Sequence, residues 1–394
     1  MDKFPDTTEL LIREKNLRKI GSFLIHSSAN PEIISFRQNP DAKTGQFKFI
    51  ESPINPEIAK LIQKEMLNQY FDANGYLVFE PASVINRNSD TIFITAGVQS
   101  LSNYIHNEDA LPDKPIFISQ PVIRTQFLES ITEGSSINFV NTSTVGFNQT
   151  SEQHINSLIK WIDLFKKFGM KDELLSFKTK EFSQKWGDKQ IEGEKIFVIY
   201  DGLEIGDASY VDNIHQKTRD PISLSDIGFG LERIQWILSG GSYFDIQAND
   251  PNKILNNKAK VYCSTLSLLA LEGLEPSNKD AGYRFRQLSK KLVKNLNINH
   301  MSSENYIKAC YNYWASWTKP SRSLQESIEI INKENSRNFN RLILDELSSH
   351  LTNNGKDINI NVSTDIFLKR LRGTDVSIFL DDALISIGEK NENK

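Results

Sequence analysis

The chain has 394 residues, a formal net charge of -4 and 39% hydrophobic residues, which exclude a disordered chain and a protein that binds nucleic acid through overall positive charge. Two cysteines, Cys263 and Cys310, are too few for a zinc cage or a disulfide framework. The acidic N-terminus and the lack of an apolar run of about 18 residues predict a cytoplasmic protein with no membrane span.

The N-terminal 54 residues predict an appendage with one amphipathic helix and no evident role. The body begins at Asn55-Pro56, a side-chain cap followed by proline at the first helical position. Apolar residues at helical spacing then continue to Gly75. We therefore begin the first folded domain at residue 55.

Short segments rich in branched and aromatic residues follow, each bounded by turn residues, and they predict strands. They cover residues 76–83, 91–97, 114–123, 195–201 and 208–214. A helical pattern from Ser151 to Gly169 interrupts them, and helical patterns dominate beyond residue 256. These patterns predict a domain with sheet and helices over 55–255 and a helical domain over 256–394.

The sharpest motif is the segment Asp226-Ile-Gly-Phe-Gly-Leu-Glu-Arg-Ile234. Gly228 and Gly230 alternate on a predicted strand, where missing side chains let a flat ligand approach the backbone, although such pairs also occur at bulges. Arg233 follows on the next turn, with a fixed fork of donors suited to a phosphate. The segment resembles the third signature motif of class II aminoacyl-tRNA synthetases, with a wording close to the alanyl group's DTGMGLERI.

This resemblance covers residues 56–300 well and 301–385 thinly, with no counterpart to the family's editing and C-terminal domains. It implies an α+β fold with an antiparallel sheet flanked by helices, followed by a mainly helical domain. It also implies an ATP-binding ligase that forms an aminoacyl-adenylate with Mg²⁺. Arg124 ends the segment similar to the second signature motif and would hold the α-phosphate, Phe139 would lie under the adenine, and Trp186 would lie near the ATP.

The resemblance also implies an amino-acid pocket in which Asp226 pairs with the substrate ammonium. The family reads EIWNIVF where this chain has EIGDASY, which changes the residues at Gly206, Asp207 and Ser209. We expect a larger, more polar pocket and a substrate that is polar, cationic or larger than alanine. A shifted backbone that refills the gap and keeps alanine is the alternative. Glu204 or Asp207 is the expected contact for magnesium.

The sequence leaves open which acceptor receives the activated amino acid. Residues 274–286 resemble a segment that lies beside the tRNA acceptor stem in the family. The segment predicts a tRNA or acceptor face, although a capped helix with a solvated basic side fits the same residues. The basic side of this predicted helix continues past residue 286, and its candidate acceptor-binding residues are Arg284, Arg286, Lys290 and Lys291.

Against tRNA stands the loop at residues 125–137, which contains Glu129 and Glu133 and no lysine or arginine. Three hypotheses remain: an activating enzyme that serves a small-molecule amine or a carrier protein, which we favour here, a compact tRNA ligase, and a non-catalytic regulatory binder. Retention of both phosphate-binding arginines argues against the binder.

Overall fold

A computed structural model of the chain describes residues 54–86, 91–106, 109–186, 189–215, 220–250, 255–296 and 303–353, with side chains at 185, 186, 189 and 340–353 left aside. The N-terminal appendage expected over residues 1–54 lies outside the described residues, except for residue 54. The chain divides into two compact units between Ile246 and Gln247.

The first unit is built on a mixed sheet of seven strands in the order β1-β2-β3-β7-β6-β5-β4. All neighbouring strands are antiparallel except β1 and β2, which are parallel. The protein is thus α+β, as expected, with one parallel pair where a fully antiparallel sheet was predicted. The strands are β1 (Leu77–Phe79), β2 (Ile116–Ile123), β3 (Asn138–Phe147), β4 (Leu175–Trp186), β5 (Lys189–Tyr200), β6 (Leu203–Ile214) and β7 (Ile222–Gly230).

The segment between β1 and β2 differs from its sequence pattern. Residues 91–97 form no strand of the sheet, and only an isolated bridge joins Ile85 to Phe93. A 3-10 helix, Gly97–Leu101, and a short helix follow instead. A parallel pair needs a long crossover connection, and this segment provides it.

The helices of the first unit are α1 (Pro56–Leu61), α2 (Lys64–Ala73), α3 (Ser102–Ile105), α4 (Ser151–Lys167) and α5 (Leu231–Ser239). As predicted, the Asn55 side chain caps α1 by accepting from the Ile58 backbone N–H at 3.2 Å. The predicted single helix up to Gly75 is two helices, because Ile62 and Gln63 are extended.

Helix α4 covers one face of the sheet with large aromatic side chains. The rings of Trp161 and Phe229 have centroids 4.8 Å apart, and Trp161 Nε1 donates to Thr144 Oγ1 at 2.9 Å. The opposite face is closed at one end by an apolar cluster that includes Val98, Val145 and Leu224. Beyond that cluster the same face carries Lys195, Asp207, Ser209 and Asp226, and we call it the site face.

The second unit is helical in its described residues and contains α6 (Asn257–Leu271), α7 (Asp280–Asn295), α8 (Glu304–Ala315) and α9 (Leu324–Asn353). Helix α6 is buried on all sides from Ala259 to Leu271 and packs against the other three. Cys263 and Cys310 are buried free thiols. Among the described helices, none combines the length and the apolar character needed to span a bilayer.

Candidate active site on the sheet

Residues of four strands form two adjacent rows across the site face, because the register of these strands aligns them. Side chains in one row belong to residues that pair directly across strands, and the two rows are two residues apart along each strand. The first row contains Lys195, Ser209, Asp226 and Val145, and the second contains Phe197, Asp207, Gly228 and Ser143. Three sequence-predicted residues, Asp226, Asp207 and Ser209, therefore lie together.

Asp226 is partly buried in the first row. Burial, followed by the negative charge of Asp207, raises the pKa of this carboxyl to about 7, while Lys195 and Arg124 lower it. The site thus holds a carboxyl group whose ionisation would be favoured by an additional positive charge. A substrate ammonium is such a charge.

Asp207 is held by an ion pair that the sequence alone did not reveal. Lys195 Nζ lies 3.0 Å from Asp207 Oδ1, and Ser209 Oγ donates to the same oxygen at 3.2 Å. The Lys195 ammonium also lies 5.8 Å from the centroid of the Phe197 ring and 5.9 Å from that of Phe182. Its alternation with Phe197 along β5 was the signal in the sequence that both side chains share a face.

The two glycines of β7 differ in their surroundings. A Cβ on Gly228 would lie 3.0 Å from Asn141 Nδ2 and 3.2 Å from Ser143 Oγ, so these polar side chains already fill that space. A Cβ on Gly230 would lie 3.8 Å from Phe139 and 4.0 Å from Arg233. Gly230 therefore leaves a slot between an aromatic ring and a guanidinium group, the kind of space that a flat ring fills.

Arg124 follows β2 and lies against Phe139, the aromatic side of this slot. Its guanidinium carbon lies 4.8 Å from the centroid of the Phe139 ring, and its Nε donates to the Thr95 carbonyl at 2.9 Å. Burial lowers the pKa of Arg124, and the charges of Asp207, Glu204 and Asp226 counteract that shift. A guanidinium group stays charged under such conditions, so the site keeps a fixed cation opposite its carboxylates.

Arg233 begins the helix after β7 and connects three segments of the site. Its Nε donates to the Gly134 carbonyl at 2.6 Å and its Nη1 donates to the Glu204 carbonyl at 2.8 Å. These bonds fix the guanidinium plane beside Gly230. Its Nη2 makes no hydrogen bond to the described residues, so it remains available to a ligand.

Two acidic residues near the site have structural partners that the sequence did not indicate. Glu133, taken as part of a repulsive acidic loop, accepts from Ser242 Oγ at 3.2 Å and from the Tyr243 backbone N–H at 3.0 Å. Glu232 is buried and accepts from the Val140 backbone N–H at 3.0 and 3.1 Å. Both carboxylates therefore hold the protein's own backbone.

Gly206 does not line the site. A Cβ on this residue would overlap the Gly228 carbonyl and the ring of Phe229, which packs against Trp161 of α4. The expected gain of space from Gly206 is therefore absent on the site face. The side chain of Trp186 lies outside the described residues, so its predicted position near ATP stays a prediction.

Glu204 lies close enough to Arg124 for its charge to raise the pKa of that guanidinium. Within the described parts of the chain, no three side chains of His, Cys, Asp or Glu are grouped as a metal site requires. A magnesium ion held by phosphates needs only one or two protein carboxylates. Glu204 and Asp207 are the carboxylates that the sequence pointed to, and Asp207 already has a lysine partner.

The basic residues of α7 belong to the second unit and are not equivalent. Arg286 is paired with Glu334 of α9 at 3.2 Å, and Arg284 Nη1 donates to Gln287 at 2.8 Å. Lys290 is exposed and Lys291 is partly exposed. Arg286 therefore joins two helices, and the exposed charge of this helix comes mainly from lysine.

Alanine–tRNA ligases are similar to this chain over part of their length. The protein of Pyrobaculum arsenaticum is 22% identical over 333 residues, covering 64% of this chain and 36% of that protein. That of Ignicoccus hospitalis is 24% identical over 217 residues, covering 50% of this chain and 23% of that protein. No protein-family model matches the sequence. The chain thus spans about a third or less of the length of these relatives, and the similarity supports an alanyl-tRNA synthetase-like relationship.

Proposed function

We propose that this chain activates an amino acid with ATP, forming an aminoacyl-adenylate on a class II synthetase-type core. The observation that carries the proposal is the meeting of Asp226 and Arg124 on one face of the sheet, with the charge of each affecting the other. A carboxylate suits the ammonium of an amino acid, and a fixed cation suits a phosphate or carboxylate. The similarity to alanine–tRNA ligases supports the same chemistry.

In the proposed complex, adenine lies in the slot above Gly230, between Phe139 and Arg233. The open space at Gly230 and the fixed plane of Arg233 support this position. The triphosphate would then extend toward Arg124, whose guanidinium neutralises charge on the α-phosphate as the amino-acid carboxylate attacks in line. Pyrophosphate leaves, and the protein contributes orientation and charge rather than a covalent intermediate.

Asp226 would bind the substrate ammonium and become ionised as it does so, because the incoming charge offsets the burial that raises its pKa. The carboxylate of the same amino acid would face Arg124. Magnesium would offset the charge of the phosphates, and Glu204 or Asp207 would be the carboxylate that holds it. Asp207 already forms an ion pair with Lys195.

We propose two acceptors for the activated amino acid. The case for a small-molecule amine or a carrier-protein thiol depends on the acidic loop at residues 125–137. The hydrogen bonds of Glu133 to residues 242 and 243 weaken this argument, because its carboxylate binds groups of the protein itself. A tRNA acceptor agrees with the relatives, which are alanine–tRNA ligases, and with the exposed Lys290.

Exchange of labelled pyrophosphate into ATP, run with each of the twenty common amino acids, tests the proposal. We expect exchange that depends on one or a few amino acids, and its near-complete loss in Arg124→Ala while that variant still unfolds cooperatively. Arg124→Lys keeps the charge but not the fork, and we expect it to remain strongly impaired. Exchange at the normal rate in Arg124→Ala would refute the role assigned to this residue.

The acceptor is tested by adding bulk tRNA to the reaction with the best amino acid. Label that becomes attached to tRNA and is released by mild base would support the tRNA ligase. Adenylate formation with no transfer to tRNA at low salt would instead support the small-molecule or carrier acceptor.

A further inference from the structure

From the position of Lys195 we infer that it determines substrate specificity: with Asp207 it selects an amino acid whose short, uncharged side chain carries a hydroxyl or carboxamide group. The inference rests on the proposed function, since it concerns the same amino-acid pocket. It narrows the substrate class and assigns a role to a residue that the motif similarity does not include.

Lys195 lies beside the residues proposed to bind the amino acid. Lys195, Ser209 and Asp226 pair across three neighbouring strands, and Asp207 occupies the next row. If Asp226 holds the ammonium and Arg124 faces the carboxylate, the polar groups beside Asp226 on β5 and β6 are those of Lys195, Asp207 and Ser209. On the other side, Ser143 of β3 is already hydrogen-bonded to Asn141. The substrate side chain therefore meets the Lys195–Asp207 pair.

The Lys195–Asp207 pair leaves some of its hydrogen-bonding groups available. Lys195 Nζ and Ser209 Oγ both use the same oxygen, Asp207 Oδ1. Among the described residues, Asp207 Oδ2 has no hydrogen-bond partner, and Lys195 makes a single ion pair with its three N–H donors. The two side chains are 29% and 34% exposed, so their remaining groups are accessible to a ligand. The pair offers one acceptor and at least one donor.

The charges of Lys195 and Asp207 disfavour a charged substrate side chain. A cationic side chain would approach Lys195, and an anionic one would approach Asp207 and Asp226. Both would leave a like charge close by in a partly buried site, which is unfavourable. An uncharged hydroxyl or carboxamide can donate to Asp207 Oδ2 and accept from Lys195 Nζ. Alanine can do neither and would displace water from both groups without replacing its hydrogen bonds.

The experiment compares Lys195→Met with the unmodified protein and with Lys180→Met as the matched control. Methionine keeps an unbranched stem against Phe182 and Phe197 and removes the charge. Lys180 pairs with Lys195 across β4 and β5 and is exposed, so its replacement removes an equal charge from the same face. Pyrophosphate exchange is measured with alanine, serine, threonine, asparagine, glutamine, aspartate and lysine.

We expect the unmodified protein and Lys180→Met to prefer a hydroxyl or carboxamide amino acid. In Lys195→Met, the efficiency with that amino acid should fall about 10- to 100-fold, as for a lost hydrogen bond to a charged group. Exchange with alanine should stay equal or rise, so that the preference narrows or inverts. A uniform fall for every amino acid would indicate a structural role and would overturn the inference.

Calorimetric binding of the same amino acids without ATP separates this inference from the proposed function. Selective binding of a hydroxyl or carboxamide amino acid, reduced by Lys195→Met and not by Lys180→Met, supports the pocket even if no exchange occurs. Selective binding of alanine, lysine or aspartate, or no binding of any amino acid tested, would overturn the inference. Pyrophosphate exchange with alanine alone would support the proposed activation of an amino acid and refute the specificity assigned to Lys195.

Discussion

Replacing each glycine of β7 by alanine separates packing from ligand binding. On Gly228 the added Cβ would lie 3.0 Å from Asn141 Nδ2 and 3.2 Å from Ser143 Oγ, closer than ordinary contact. Both neighbours are buried and hydrogen-bonded to each other at 3.0 Å, so they have little freedom to move. We expect Gly228→Ala to lower the free energy of unfolding by about 1–3 kcal/mol, as overpacking does.

On Gly230 the same methyl group meets only Phe139 at 3.8 Å and Arg233 at 4.0 Å, which are ordinary contacts. The backbone at Gly230 has φ -81° and ψ 108°, which alanine adopts without strain. We therefore expect Gly230→Ala to keep the stability of the protein or to raise it by about 0.4–1 kcal/mol, since alanine reduces the freedom of the unfolded chain.

The methyl group on Gly230 would nevertheless occupy the floor of the proposed adenine slot. Displacing the ring should cost about 1–3 kcal/mol of binding free energy, which corresponds to an ATP affinity about 5- to 150-fold lower. Urea unfolding gives the stabilities, and calorimetry with a non-hydrolysable ATP analogue gives the affinities. Normal affinity in a fully folded Gly230→Ala would refute the position assigned to adenine, and equal destabilisation by both variants would refute the open slot.

Two further predictions concern pH. The pKa of Asp226 is raised from 3.8 to about 7 in the folded protein, so the stability linked to its protonated form is full below pH 4 and is lost as pH rises through 7. We therefore compare the free energy of unfolding of Asp226→Asn with that of the unmodified protein, both without ligand. The advantage of the variant should be about 1–2 kcal/mol larger at pH 8 than at pH 4, after allowance for solvent in the site. The variant should no longer bind the amino acid. An equal difference at both pH values would contradict this. Burial lowers the pKa of His154 from 6.5 to about 3, so its contribution is full above pH 6.5 and falls by about 1.4 kcal/mol per pH unit below it. His154→Asn should remove this dependence of the free energy of unfolding on pH, measured by urea unfolding between pH 6.5 and 4.5. The same dependence in both proteins would show that His154 does not cause it.

Local patterns in the sequence predicted part of the sheet, whereas β3 and β4 were not predicted as strands. Asn55 caps its helix as expected, and the strand that carries Asp226, Gly228 and Gly230 forms where its branched and aromatic residues indicate. The assignment of Asp207, Ser209 and Asp226 to one pocket came from the family resemblance, and the register of β6 and β7 brings these residues close together.

The remaining features depend on contacts between distant segments. Gly206 follows a register shift between β5 and β6 and turns toward Phe229, which a linear pattern does not indicate. Glu133 finds its partners more than a hundred residues away at Ser242 and Tyr243. In the sequence, Lys195 is the first residue of a predicted apolar strand. Its ion pair with Asp207 depends on the pairing of β5 with β6, which the sequence does not give.

The central claim is that Asp226 and Arg124 act on the two ends of one amino acid while ATP is cleaved to pyrophosphate. It is tested most directly by trapping the activated amino acid with hydroxylamine and measuring the hydroxamate and AMP that form. We predict equal amounts of both products, dependent on the amino acid, and neither product above background in Arg124→Ala or Asp226→Asn. AMP formation without any amino acid, or hydroxamate at the normal rate in either variant, would contradict the account.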